Sequence, residues 1–360
     1  MNLFIVVPIW LLLLYFLTKN NKQITQSSLL VRFLVCVPLI LFATFRGIEH
    51  MNDTASYIQH INDIPLELGE FLDYLSDRSD KLFYIIIYIF KLLNSNWHFV
   101  FFGIATAQIL IISRFFKNYS ISYLLSILLF VLSSDYTSFI LFGMKQGLAI
   151  AIFLLVIPFI MQKKWIPAIL ILLVAAQIHA SVYFVIPIIF FINEEPFSKK
   201  TFLITFGFII FLATFSQFST YIAQLWVEHK GLEFTGNYMM GRGMNATRLV
   251  FDIPFLLALF NYKKIQNIKD PFLTICINGS MFHFFISILA CLTNAIFVGR
   301  FIWYFSLFNY VLLPWELENL FENKDKKIMY PLFIVLYILI YTFLLFYYET
   351  VGIKQFDLPI

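Results

Sequence analysis

The sequence predicts an all-α, polytopic integral membrane protein of about eleven or twelve membrane helices, with two longer external loops. Three observations carry that reading. Of the 360 residues, 61% are hydrophobic and only 13% charged, too apolar a balance for a domain whose surface must be wet. Apolar runs of membrane-spanning length recur from end to end, at 3–17, 29–45, 139–161, 201–222, 272–290 and 329–348. Stretches such as "AIAIFLLVIPFI" are also apolar on every face, where a barrel strand would alternate. In lipid that leaves helices, which satisfy their own backbone groups.

Taken in order, the first run has no basic residue before it and no small-residue cleavage site after it, so it is expected to be a retained helix. Basic residues follow it in "TKNNKQ" and recur in "QKKW" at 162–165, "NYKKIQNIK" at 261–269 and "ENKDKK" at 322–327; the positive-inside rule puts these in the cytoplasm. The loops at about 46–81 and 227–247 then face outward, the first carrying Glu49, Asp53, Asp63, Glu67, Glu70, Asp73, Asp77 and Asp80. Between Trp165 and Trp226 an odd number of crossings is required. Three fit if the chain turns near His179 and returns through "VYFVIPIIFFI" to "NEEPFSKK". Between 82 and 136 the count is even or odd according to whether "LFYIIIYIFKLL" spans, and a re-entrant or interfacial piece reconciles it. The whole of 1–360 reads as one polytopic domain without internal repeats.

Composition also excludes classes. The net charge of +4 is spread over short loops and forms no nucleic-acid patch. Cys36, Cys276 and Cys291 all lie in apolar runs, with neither a disulfide framework nor metal-ligand spacing, so no metal and no cofactor are expected. The triplet "NAT" at 245–247 matches a glycosylation acceptor by spacing alone.

Ionisable groups in or at the ends of membrane helices cost about 2.5–3.5 kcal/mol each near the bilayer centre, which makes them functional candidates. They are Arg46, Asp53, Lys145, His179, Arg242, Arg248, Asp252, His283 and Arg300. Arg46 closes the second apolar run. Beyond it, Asp53 and Tyr57 stand at i, i+4 and share a face if that segment is helical. Lys145 lies about two turns into a helix, followed by Gly147, Ala149 and Ala151, which permit close packing. Arg242 sits between two glycines on the second long loop, suited to a phosphate clamp. Arg248 and Asp252 have the spacing of a helix-end ion pair. Arg300 opens another helix, with Trp303 and Tyr304 as belt aromatics or sugar-stacking faces. His283, in "SMFHFFIS", reads as a hydrogen-bonded core histidine. Arg46, Asp53, Lys145, His179, Arg242, Arg248 and Arg300 are then expected at one membrane face, an anion site beside a base, and a lipid-linked pyrophosphate sugar suits it, its anchor in lipid and its head at the interface.

The stretches "FRGIEHMNDTASY", "GMKQGLAIAIFLLVIPFIMQKK", "LLVAAQIHASVYFVIPI" and "GRFIWYFSLFNYVLLP", in this order and spacing, resemble the EpsG family of Wzy-type polysaccharide polymerases over nearly the whole chain. The resemblance implies a GT-C-like polymerase architecture in the bacterial inner membrane with its active site facing the periplasm. It also implies metal-independent transfer of an undecaprenyl-pyrophosphate-linked oligosaccharide to a hydroxyl of a second lipid-linked unit, building capsule, O-antigen or exopolysaccharide. A chain-length regulator and a flippase of the same pathway are the partners it implies. The carried-over positions are Arg46, Asp53, Tyr57, Gln146, His179 and Arg300; Lys145 stands where the family usually has arginine. Asp53, then His179, are the candidate bases, and Lys145 with the arginines would hold the departing pyrophosphate. A lipid-linked oligosaccharide flippase and a polysaccharide ligase are the competing readings. A flippase should show cations through the depth of two related halves, whereas a ligase differs only in acceptor.

Overall fold

The computed structural model describes residues 3–19, 28–47, 52–230, 244–266, 268–292 and 296–350, and Arg242 lies outside them. Every regular element among the described residues is helical. In chain order they are α1 (Leu3–Lys19), α2 (Leu29–Thr44), α3 (Asn52–Asp63), α4 (Leu68–Ser76), α5 (Lys81–Leu93), α6 (Trp97–Tyr119) and α7 (Tyr123–Leu132). A π-helical segment, Tyr136–Phe142, leads to α8 (Met144–Leu154), α9 (Ile157–Met161), α10 (Trp165–Ala176), α11 (Val182–Ile189) and α12 (Lys199–Lys230). A 3₁₀ segment, Ala246–Asp252, precedes α13 (Ile253–Phe260), α14 (Tyr262–Ile265), α15 (Pro271–Leu292), α16 (Ile296–Asn319) and α17 (Asn323–Thr350). The all-α, multi-pass expectation holds.

Four described helices are long and apolar enough to cross a membrane: Trp97–Tyr119, Met144–Met161, Pro271–Leu292 and Asn323–Tyr347. The pair Tyr123–Leu132 and Tyr136–Phe142 makes a fifth if its 71° bend lies within one span, and α1, α2 and α10 are shorter apolar helices. The expected eleven or twelve segments are approached only by counting such short and broken pieces. The run at 82–93 is one of them. Its helix has 13 residues, a length of about 20 Å, too short to cross a 30 Å hydrocarbon core upright.

The chain divides into two compact units, 1–187 with 322–360, and 188–321. In the first, α7 is the centre: every residue from Tyr123 to Leu132 is buried, as an all-round apolar helix requires. Around it pack α1, α6 and α17, while α2 lies against α6, and α6 and α10 against α8. In the second unit α15 and α16 form the closest pair, with α12 and α13 against α15. There Asn278 of α15 donates to the carbonyls of Ile192 (2.9 Å) and Glu194 (2.7 Å), pinning the turn that precedes α12.

The break after α7 positions the site. Ser134 adopts φ 67°, a left-handed backbone that ends the helix. After Asp135, the seven residues Tyr136–Phe142 wind as a π-helix, five of them buried. Irregular backbone at membrane depth survives only inside protein, and here side chains serve it. Ser133 Oγ donates to the Phe130 carbonyl at 3.0 Å, Ser138 Oγ to that of Ser134 at 3.0 Å, and Gln108 Nε2 to that of Met144 at 2.8 Å. The apolar run at 139–161 is therefore not one helix, and Lys145 is not two turns into it. Gly143 caps α8, and Lys145 sits in its first turn.

Gly147 lets α8 lie on this segment, because a Cβ there would overlap the Phe139 carbonyl oxygen and crowd Gln108 Nε2 at 2.9 Å. Gly147→Ala is expected to lower stability by about 1–3 kcal/mol, the cost of overpacking a close contact. The unfolding midpoint in detergent reads it; an unchanged midpoint would show that α8 can back away freely.

Candidate functional site

In the first unit, α3 is a helix, as the Asp53 and Tyr57 spacing required, and both residues are half-buried on it. Its far end is held by a group the sequence did not single out. Lys91 of α5, 8% exposed, donates through Nζ to the carbonyls of Ile61 (2.6 Å), Asn62 (2.9 Å) and Ile64 (2.5 Å). A cation on the orphan carbonyls of a helix C-terminus satisfies both hydrogen bonds and dipole. Tyr88 Oη reaches the Leu66 carbonyl at 3.1 Å, and the Tyr88 ring stacks on Phe71 at 3.9 Å, adding α4 to the same frame.

Arg46, just past the end of α2, is 2% exposed. Its Nε donates to Thr54 Oγ1 of α3 (3.1 Å), Nη1 to the carbonyls of Ile140 (3.1 Å) and Ala43 (3.5 Å), and Nη2 to Met144 Sδ (3.7 Å). The guanidinium lies over the Phe101 ring at 4.0 Å. One planar fork thus ties α2, α3, α6, the π-helical carbonyl of Ile140 and the start of α8 together. Asp53 and Tyr57 lie within electrostatic reach of it. Gln146, 2% exposed in the first turn of α8, is likewise inside the packing.

Lys145 faces a different group. Its ammonium is paired with the Asp80 carboxylate at the start of α5, the two side chains being 21% and 17% exposed. It also lies 5.1 Å from the Phe83 ring and 5.2 Å from that of Tyr84. Its backbone N–H donates to Tyr57 Oη at 3.4 Å. Arg78, between α4 and α5, stands over Tyr74 at 4.6 Å and over Tyr84 at 5.2 Å. His60 of α3 meets the Tyr84 ring edge-on at 6.0 Å. Burial first, and then the positive charges of Lys145 and Arg78, push the His60 imidazole below its ordinary pKa and keep it neutral. Asp53, Tyr57, His60, Tyr74, Arg78, Asp80 and Lys145 are all half-buried, and the contacts among Tyr57, Lys145, Asp80, Arg78, Tyr74 and His60 around Tyr84 make a polar rim on an aromatic bed.

His179 lies in the turn between α10 and α11, where the sequence placed it. Just before this turn, the Gln177 carbonyl accepts from the Leu82 N–H of α5 at 3.1 Å, which holds the end of α10 against the start of α5. His179 Nδ1 shares a 2.6 Å hydrogen bond with Ser181 Oγ and accepts from the Ser181 N–H at 3.3 Å.

The remaining predicted positions belong to the second unit. Asp252 does not rely on Arg248. The segment holding them is a 3₁₀ helix, in which i, i+3 residues align instead of i, i+4. Asp252 Oδ1 instead meets His283 Nδ1 of α15 at 2.5 Å, so His283 is the bonded core histidine its context suggested. Arg248 lies 5.9 Å from the Phe251 ring. Asn245 Oδ1 accepts from the Thr247 N–H (3.0 Å) and hydroxyl (2.9 Å), so the "NAT" triplet serves as the cap of that segment. Arg300 is half-buried in α16, while Tyr304 is wholly buried and offers no ring face at the surface.

Sequence reasoning counted Asp80 only as loop charge and passed over His60, Arg78, Tyr84 and Lys91. The pairing of Lys145 with Asp80 spans 65 positions, which no local spacing encodes. The nearest signal was Arg78, a base among the acidic residues of the first long loop. The EpsG family model matches residues 29–357. No curated protein and no solved structure matches the chain.

Proposed function

The chain belongs to the EpsG family, a family associated with polysaccharide polymerases, and from that premise we propose that it is a Wzy-type membrane glycosyltransferase. It would extend a polysaccharide by moving an oligosaccharide from undecaprenyl pyrophosphate to a second lipid-linked repeat unit, at the periplasmic face of the bacterial inner membrane. The observation that carries this reading is Lys145, a half-buried cation in the first turn of α8, paired with Asp80 and beside Tyr57, which shares a face of α3 with Asp53. A cation at a helix N-terminus adds its charge to the positive end of the dipole, which favours a phosphate.

In this mechanism the acceptor oxygen attacks the anomeric carbon and its proton passes to Asp53. The bond from that carbon to the pyrophosphate oxygen breaks, and the electron pair leaves with the lipid pyrophosphate, whose charge Lys145 stabilises. His179 is the second candidate for the base, after Asp53. Arg46 supports the site by fixing α3 against the π-helical segment and the start of α8.

The test is a polysaccharide ladder from cells lacking this chain. A single repeat unit on its acceptor, restored to a ladder by the wild-type chain, is the expected result. Loss of even the single capped unit would point to a flippase or a ligase, and an unchanged ladder would overturn the proposal.

A further inference from the structure

Lys145 shares its aromatic support with another cation. The Arg78 guanidinium and the Lys145 ammonium each lie 5.2 Å from the centre of the same ring, Tyr84, so the two charges stand within twice that distance of each other. Tyr84 is 3% exposed, which rules it out as a stacking face for a sugar and leaves it as the fixed surface on which both cations rest. Tyr74 backs Arg78 and Phe83 backs Lys145. Both cations remain half-buried and accessible, while Asp80, paired with Lys145, neutralises one of the two charges.

We infer that Arg78 and Lys145 form a two-point clamp for a diphosphate, with Asp80 as the carboxylate that occupies Lys145 until the ligand displaces it. The inference rests on the donor chemistry proposed above and names the residue that would complete it. A single phosphate needs only one of these cations. Two positive centres of different kinds, a planar fork and a point charge, resting on one ring can each engage one of two linked phosphates. A partly exposed ion pair is weak enough for a phosphate to replace the carboxylate.

Full-length protein in detergent would be titrated with farnesyl diphosphate, farnesyl monophosphate and inorganic pyrophosphate. The wild-type chain should prefer the prenyl diphosphate to the monophosphate by about tenfold or more, a difference of about 1.4 kcal/mol. Arg78→Ala should bring that ratio close to one, and Asp80→Asn should tighten diphosphate binding by removing the competing carboxylate. The second variant gains affinity, which a folding defect cannot imitate. An unaltered ratio in Arg78→Ala, or no gain in Asp80→Asn, overturns the clamp. Equal affinity for inorganic pyrophosphate and prenyl diphosphate assigns the site to the diphosphate group itself; a large excess for the prenyl form adds the lipid to what the clamp recognises. The ladder separates this inference from the polymerase reading. If wild-type protein shows the ratio but fails to restore the ladder, the polymerase reading falls and the clamp stands. If the ladder is restored while the ratio is insensitive to Arg78, the reverse holds.

Discussion

Arg46→Ala is expected to destabilise the first unit more than any other single substitution considered, by on the order of 3 kcal/mol or more. The loss has two parts. The Ile140 carbonyl lies in a π-helical segment and takes a hydrogen bond from Arg46 Nη1, and Thr54 Oγ1 of α3 takes another from Nε, so truncation strips donors from buried groups. The vacated space also leaves the face of Phe101, now covered at 4.0 Å, without its partner. Arg46→Lys should recover only part of the stability, because a point charge can serve one carbonyl but cannot reach Thr54 and Ile140 together while covering the ring. The measurement is thermal unfolding in detergent, alongside protein abundance in cells. A variant that keeps the wild-type midpoint and abundance yet makes no polymer would assign Arg46 to substrate contact and remove its role as a structural post.

Lys145→Ala is expected to act on the reaction instead. The Lys145–Asp80 pair is partly exposed, so its loss should cost little stability, while removal of the charge that meets the leaving pyrophosphate should slow polymerisation by about 10²–10³-fold. In cells the ladder should shrink to a single repeat unit at wild-type protein abundance. Lys145→Arg should keep the ladder, since a guanidinium can hold a phosphate through two parallel bonds and still carries the charge. A normal ladder in Lys145→Ala would remove the lysine from the mechanism.

Part of the candidate site's geometry was legible because its logic is local. Asp53 and Tyr57 share a face once their segment is helical, and an i, i+4 interval says so directly. His179 in an otherwise apolar run marked a turn, since a polar ring and a neighbouring serine find partners there more readily than in mid-membrane. The closing of α8 upon its neighbour was visible in Gly147 and the alanines after it. Lys145 was singled out as a costly charge but misplaced along its helix. Hydropathy does not register a π-turn, and Phe139–Phe142 is as apolar inside such a turn as in a regular helix. Asp252 was given the wrong partner for a related reason. Four-residue spacing assumes an α-helix, and the segment is 3₁₀, while the true partner, His283, lies 31 positions away.

The sequence by itself determined the solvent and the class of this protein. An apolar content of 61% in runs without strand alternation leaves only helices in lipid, because each helix satisfies its own backbone bonds whatever its neighbours do. It also singled out which charges are costly enough to require a purpose. The tertiary structure alone decided how those charges are spent. It gave Arg46 to the broken backbone after α7, Lys91 to the end of α3, and Lys145 to Asp80 beside Arg78 and Tyr84. The physical reason is range: hydropathy and helix periodicity act over a few residues, whereas a buried cation is stabilised by whichever carbonyl, carboxylate or ring the packing brings to it.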